Sequence, residues 1–390
     1  MDISLLSKKE NPFYSNKKVK KGEIALKNNG APGNLDVAVN ATTTNNIEKL
    51  LLDEIGEEAY HFINRYVDTQ SGSTLLTSTT TKFNIDKYAT GLYQNIVNIQ
   101  LVNNTRWINK FFESVNSKLP DGGFYIGTLE AKANRKRRIL NALPRPFNWV
   151  LYTIDFLHKR VAPKIKWTQR IYFYFTKGNG RVITRAETLG RLVSCGFEIV
   201  NHQDINNKTW FVVRKVKEPE FNLNPSYGPI FKMPRVGKGG KPILVYKFRT
   251  MHPYSEYLQD YVLKMNGYSE IGKPADDFRL TTWGKFMRRY WLDEMPQLLN
   301  VLKGEMKLVG IRPLSKRFLA EYPEDVLKMR FKHKPGCVPP YVALLKQEVK
   351  EYIESERTYL LEVEKHPYTT DWKYFFKAVY NILTNKIRSS

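Results

Sequence analysis

Between Ala131 and Arg185 the chain carries fourteen Lys and Arg residues and a single acid, Asp155. So many unmatched charges cannot leave water together. Phe147, Trp149, Tyr152, Phe156, Trp167, Tyr172, Phe173, Tyr174 and Phe175 are interleaved with the cations. Rings at headgroup depth with cations beside them suit an anionic membrane surface, at about 1 kcal/mol per Lys or Arg. The same mixture suits single-stranded nucleic acid, or a solvated face over ordinary core aromatics. With no nucleic-acid module in the chain, the membrane surface is the expected partner and nucleic acid is not. The whole chain shares the bias: 62 Lys+Arg against 38 Asp+Glu, net +24, which calls for a polyanionic partner.

The flanks read as folded protein. Residues 1–45 are a polar, Lys- and Asn-rich tail, and residues 46–216 alternate helix and strand signals. Ile47–Tyr66 predicts a helix, Ser73–Thr80 a β-rich stretch and Asn95–Val102 a buried strand. Arg106–Leu119 predicts an amphipathic helix stacking Trp107, Phe111 and Val115. Asp121–Thr128 predicts a turn and strand, AETLGRLVSCG a helix, and FEIV and TWFVVRKV two strands about an Asn206-Asn207 turn. The alternation argues for an α/β sheet with helices packed on it. Two distant cysteines, Cys195 and Cys337, show no metal-ligand spacing and fit a reducing, cytoplasmic setting. The N-terminus has no signal-peptide core, and no run of about 18 apolar residues exists to span a bilayer, so membrane contact is expected to be peripheral.

Lys217–Tyr227 is a polar joint and the expected domain boundary. After it, GPIFKMPRVGKGGKPILVYKFRTM predicts two strands about a GKGGK turn, carrying Arg235, Lys238, Lys241, Lys247 and Arg249. A glycine turn among cations offers N–H groups and charge to phosphate. A helix is expected in PYSEYLQDYVLKMNG and a polar loop over Gly272–Asp277. Then comes RLTTWGKFMRRYWLDEMPQLLNVLKGEMKLVGIRP, residues 279–313. Trp283, Phe286, Met287 and Tyr290 share one helical stripe, and Met295, Leu298, Leu299 and Leu302 another. Asp293 sits where the second helix should begin and Gly304 where it should end. Beside Arg288, Arg289 and Arg312, a carboxylate at a helix start is expected to stay ionised. A simple N-cap role for Asp293 and a solvated Glu294 fit the spacing equally well.

Two resemblances follow from these motifs. VNIQLVNN, LPDGGFYIG and LGRLVSCGFEIV…WFVVRKV loosely resemble the later half of a class I methyltransferase-type Rossmann domain. No Gly-rich cofactor turn precedes Asn95, so a degenerate, cofactor-free domain is expected over 46–216, with residues 131–185 as its basic aromatic insertion. More specifically, RVGKGGK, KFRTM, FRLTTWGKFMRR, LDEMPQLLNVLKG and LVGIRP resemble, in order, the bacterial sugar transferase family of monotopic phosphoglycosyl transferases. HPYTTDWKYFFKAVYNIL is similar to the way such proteins end, so the resemblance covers 228–390. It implies an α+β, helix-rich catalytic domain behind the Rossmann-like one. It also implies transfer of a sugar-1-phosphate from a nucleotide diphosphate sugar to polyprenyl phosphate, opening polysaccharide or glycoconjugate synthesis. Asp293 would be the covalent nucleophile, and Glu294 would help hold Mg²⁺ or manage a proton. Arg235, Lys247, Arg249, Arg279 and Arg312 would surround the phosphates. The expected location is the inner face of a bacterial cytoplasmic membrane.

The chain departs from that family in two places. Members carry a long apolar re-entrant helix before the GPIF strand, where this chain has the polar joint. Their Gly-Ile-Thr-Gly stretch is replaced by KPGCVPPYVA, residues 334–343. Lipid contact would then fall to 131–185 or to the C-terminal stripe of Trp372, Phe375, Phe376, Val379, Tyr380 and Leu383, which equally fits core packing. Two other readings stay open: a silent member docking on the membrane or on an enzyme of polysaccharide assembly, and a methyltransferase-related nucleic-acid binder.

Overall fold

In a computed structural model, residues 41–221, 227–266, 277–346 and 348–387 are described. Met1–Asn45 forms one unit and Asn46–Ser390 a second, compact one. Almost all of the polar tail, the middle of the 217–227 joint and residues 272–276 of the polar loop lie outside the described residues.

The long helix expected over 47–66 is two helices, α1 (Ala41–Ile55) and α2 (Glu57–Asn64), broken at Gly56, whose φ of 81° no α-helix accepts. Strand β1 (Thr74–Thr77), a short helix α3 (Phe83–Asp86), β2 (Asn95–Leu101), α4 (Ile108–Lys118) and β3 (Phe124–Leu129) follow. The basic segment then forms α5 (Lys132–Ala142), α6 (Phe147–Phe156) and α7 (Lys166–Thr176). α8 (Arg185–Ser194) leads into the hairpin β4 (Phe197–Ile205) and β5 (Lys208–Lys215). Asn206 and Asn207, at φ of 49° and 61°, make the two-residue turn that matches strand twist.

These strands form one mixed sheet, ordered β1-β2-β3-β5-β4, with β1, β2 and β3 parallel and β5 antiparallel to both neighbours. Alternation divides its side chains between two layers. Val97, Ile126, Trp210 and Val212 pack on α1 and α2, while Ile96, Tyr125, Phe211 and Val213 pack on α4 and α8. Trp107 departs from its expected place: it precedes the first turn of α4 and stands exposed, while Phe111 and Val115 are buried.

The C-terminal region begins with the expected hairpin, β6 (Ile230–Val236) and β7 (Pro242–Phe248), around Gly237–Lys241. The helix expected next starts late. Tyr254 is left-handed, Ser255–Leu258 is a 3₁₀ turn, and only α9 (Gln259–Asn266) is α-helical. Leu258 and Val262 are wholly buried in the core of the five-stranded sheet. The contact is close because a Cβ on Gly190 of α8 would stand 2.2 Å from the Tyr254 carbonyl.

Then come α10 (Thr282–Arg289), a 3₁₀ turn over Leu292–Gln297, α11 (Leu298–Leu302), β8 (Lys307–Val309), α12 (Lys316–Leu319) and α13 (Glu324–Lys332). β9 (Gly336–Val338) pairs in parallel with β8, and α14 (Pro340–Leu344), α15 (Val349–Lys365) and α16 (Thr370–Leu383) close the fold. Trp291, Ile311, Tyr341, Tyr359, Leu360 and Tyr374 build the second core.

The apolar stripes of the helical surface face outward. On α16, Tyr374 and Ala378 are buried, while Trp372, Phe376, Tyr380 and Leu383 are exposed. Trp283 and Phe286 of α10, and Leu298, Leu299 and Leu302 of α11, are exposed as well. Among the described residues no helix is long and apolar enough to cross a membrane.

Candidate active site

The site is assembled on the exit of β7. Thr281 donates its backbone N–H to the Thr250 carbonyl at 2.9 Å, and its hydroxyl caps α10 by accepting from the Gly284 N–H at 2.7 Å. A Cβ on Gly284 would lie 2.1 Å from the Thr250 carbonyl oxygen, so only glycine lets α10 approach this far. After α10 the chain turns at Trp291, left-handed at φ 58° and buried with its ring centre 6.3 Å from that of Tyr341. Asp293 is therefore not the residue that starts a helix: it lies inside the 3₁₀ turn that opens at Leu292. Pro296 has no N–H to close an α-type bond there, and α geometry begins only at Leu298. Gly304, at φ 72°, ends the helix as its position predicts.

Asn300, wholly buried on α11, locks this turn to the hairpin. Its amide donates to the Leu244 carbonyl at 2.7 Å and to Glu305 at 2.6 Å, and its oxygen accepts from the Tyr246 N–H at 3.1 Å. Glu294 is thereby brought under Lys247.

A cavity of about 190 Å³ opens at this junction, lined among others by Arg235, Lys247, Glu294, Gln297, Arg312 and Tyr341. Three of the five expected phosphate-binding cations thus meet around the expected metal-holding acid. Glu294 accepts hydrogen bonds from the Lys247 ammonium and the Gln297 amide. Arg312 stands 5.6 Å from the Tyr341 ring centre, and Tyr341 and Glu294 hold its charge in place against the effect of burial. Burial and the neighbouring Arg312 push the Arg235 pKa down, and Glu294 opposes them. Tyr341 reaches the cavity from the PPYVA stretch of α14, the segment where the chain departs from the family pattern.

Asp293, 3% exposed, precedes Glu294 in the 3₁₀ turn and does not itself line the cavity. Arg249 and Arg279 do not line the cavity. Arg249 donates to the Gly228 carbonyl at 3.0 Å. Arg279 is buried in a two-bond pair with Asp277, at 2.8 and 2.7 Å, and donates to Gln259 at 2.6 Å. Arg288 gains in importance. Half-buried, it donates to the Thr250 hydroxyl at 3.1 Å and feels the charges of both Asp293 and Glu294. Its closeness in sequence to the acids, five residues before Asp293, was the available signal.

Among the described residues no three metal-ligating side chains cluster. Glu294 is the carboxylate on the cavity wall, and Mg²⁺ commonly takes one or two carboxylates and completes its shell with water and substrate phosphate.

Residues 222–385 match the family described as bacterial sugar transferase. The chain is 33% identical over 162 residues to the galactosyl transferase CpsE of Streptococcus agalactiae, covering 41% of this chain and 34% of that one. It is 42% identical over 105 residues to the undecaprenyl-phosphate galactose phosphotransferase of Salmonella typhimurium, covering 25% and 22%. It is also 42% identical over 106 residues to the uncharacterized sugar transferase EpsL of Bacillus subtilis, covering 27% and 46%. The chain thus spans less than half the length of each. On its ordered motifs, its hairpin-and-turn geometry and these matches, the region 222–385 belongs to the bacterial sugar transferase family.

Proposed function

We propose that the chain transfers a sugar-1-phosphate from a nucleotide diphosphate sugar to polyprenyl phosphate. The observation that carries this reading is the buried Asp293 beside a Glu294 that opens onto a cavity walled by Arg235, Lys247 and Arg312. A carboxylate oxygen of Asp293 attacks the phosphorus bearing the sugar. The bond to the bridging oxygen breaks, and the nucleoside monophosphate leaves with the electron pair. A terminal oxygen of polyprenyl phosphate then attacks the same phosphorus and releases Asp293 as a carboxylate. The three cations and Arg288 offset the charge that builds as anions meet. Arg249 is the next cation, just past β7, and Arg279 steadies the approach to α10 through Asp277. Glu294 would help hold Mg²⁺, which supplies further charge neutralisation when bound. Relatives named as undecaprenyl-phosphate phosphotransferases for galactose and N-acetylgalactosamine support the substrate class.

The lipid acceptor is met at the surface in this reading. The end of α10 is linked to the chain just past α16 by a hydrogen bond from Arg289 to Asn385 at 3.2 Å, and both helices carry exposed rings. α6 and α7 add exposed Trp149, Trp167 and Phe175 among their cations. These faces support peripheral seating on the anionic cytoplasmic face of the membrane. We read the five-stranded sheet as a degenerate Rossmann-like domain; the antiparallel β5 between β3 and β4 supports that likeness.

The test is Mg²⁺-dependent release of nucleoside monophosphate from nucleotide sugars with polyprenyl phosphate. Asp293→Asn is expected to lower it by roughly a thousandfold or more while circular dichroism is unchanged. Undiminished release would overturn the assignment.

A further inference from the structure

A second cationic cavity lies in the N-terminal half, away from Asp293. It measures about 1250 Å³ and is walled by α4, α7, α8 and the chain around Arg160 and Lys164. Nine Lys and Arg side chains line it against two carboxylates, Glu113 and Glu187. Glu113 pairs with Lys110 at 2.9 Å. Glu187 accepts from Arg160 at 2.6 Å and from Arg191 at 2.9 Å, with the Lys164 ammonium at 3.9 Å. These groups are not freely solvated: the Arg160, Arg191 and Glu187 side chains are 11%, 10% and 5% exposed.

Burial and neighbouring cations outweigh Glu187 and pull the Lys164 pKa down to about 8; Arg249, just past β7, adds to this from the other half of the molecule. Arg181 is drawn down to about 10 by burial and Arg191. On the aromatic wall, Phe173 lies between the guanidinium groups of Arg106, 5.4 Å from its ring centre, and Arg181, 5.7 Å away.

We propose that this cavity binds a phosphate-bearing ligand whose anion completes the cluster around Glu187 and whose remainder lies against Trp107 and Phe173. Two guanidinium groups and an ammonium facing one half-open cavity suit a phosphate group, which accepts forked and single bonds together. The inference stands apart from the transfer reaction, because none of these residues lines the cavity at Glu294. The phosphate has two sources: a free organic phosphate, or an anionic lipid headgroup, since α7 carries Phe173 to the cavity and Trp167 to the exterior.

The experiment compares the full chain with Arg106→Gln/Lys164→Gln, which leaves the close pairs of Glu187 intact. Inorganic pyrophosphate is titrated calorimetrically in about 150 mM NaCl. In parallel, flotation is measured with phosphatidylglycerol vesicles against phosphatidylcholine vesicles. Affinity in the variant is expected to fall by about tenfold or more, as befits lost charge-assisted hydrogen bonds. A loss confined to pyrophosphate assigns a free phosphate, and one confined to vesicles a headgroup. A loss in both supports the shared chemistry. Equal binding by both proteins in both arms, or none by either, overturns the proposal.

Discussion

The two cationic cavities use the same residue types and match their charge differently. Around Glu294, the Lys247 ammonium and the Gln297 amide both bond to the carboxylate, and nearby Arg330 bonds to Glu356. Around Glu187, three cations converge on one buried carboxylate and burial weakens Lys164. The lesson is that a basic composition does not define a site. In the C-terminal cavity Lys247 has a carboxylate of its own that a substrate must compete with, whereas in the N-terminal cavity three cations share one carboxylate and an added anion relieves the excess.

Four variants probe that contrast, taken from the largest effect down. Glu187→Gln leaves Arg160, Lys164 and Arg191 facing each other in a buried place and should cost about 3–5 kcal/mol in denaturant unfolding. Burial acts to raise the Glu187 pKa, but those three cations overcome it and hold the carboxyl well below the ordinary range. Its stabilising effect is therefore present above the unfolded carboxyl pKa and is lost as pH falls toward the folded one. The variant should lack that acid-side loss. Lys164 has the opposite sign of effect. Its folded pKa lies below its unfolded value, so stability should rise as pH climbs from about 8 toward the ordinary lysine range, and Lys164→Gln should abolish the rise.

Next in size, Lys247→Gln should destabilise by about 1–3 kcal/mol by stranding Glu294, whereas Lys164→Gln should not destabilise at neutral pH. Equal losses at the two lysines would erase the distinction. Smallest for stability is Trp372→Ala/Phe376→Ala on α16, where exposed rings should change unfolding by less than about 0.5 kcal/mol. Flotation with anionic vesicles should nonetheless weaken, and unaltered flotation would remove α16 from the lipid-facing surface.

Much of the sheet was legible because its strands alternate or run apolar and its turns carry their own chemistry. Asn206-Asn207 and GKGGK marked both hairpins, and Gly304 the end of α11. Periodicity was less informative on the helices. The stripes of Trp283 and Phe286, and of Leu298 and Leu302, were visible as stripes, yet spacing does not say whether a stripe meets a core or the outside. Trp107 shows the same limit within one helix, since Phe111 and Val115 face inward and it does not. Long-range contacts were invisible: nothing local announces that Leu258 and Val262 complete the core of a distant sheet. At the cavity, Glu294 and three of the five cations that the motifs singled out are brought together. Arg279 was misleading because its partner Asp277 lies only two residues away and occupies it. Asn300 was passed over because a polar residue in a leucine-rich turn reads as solvated until its three partners are known.

The most direct test of the account is intact-protein mass spectrometry of the full chain incubated with Mg²⁺ and a panel of nucleotide diphosphate sugars, without lipid acceptor. The account predicts a mass gain of one sugar phosphate on the wild-type chain, mapped to Asp293, absent in Asp293→Asn and discharged by polyprenyl phosphate. An adduct that persists in Asp293→Asn, or nucleoside monophosphate released by the wild type with no adduct at Asp293, would contradict it.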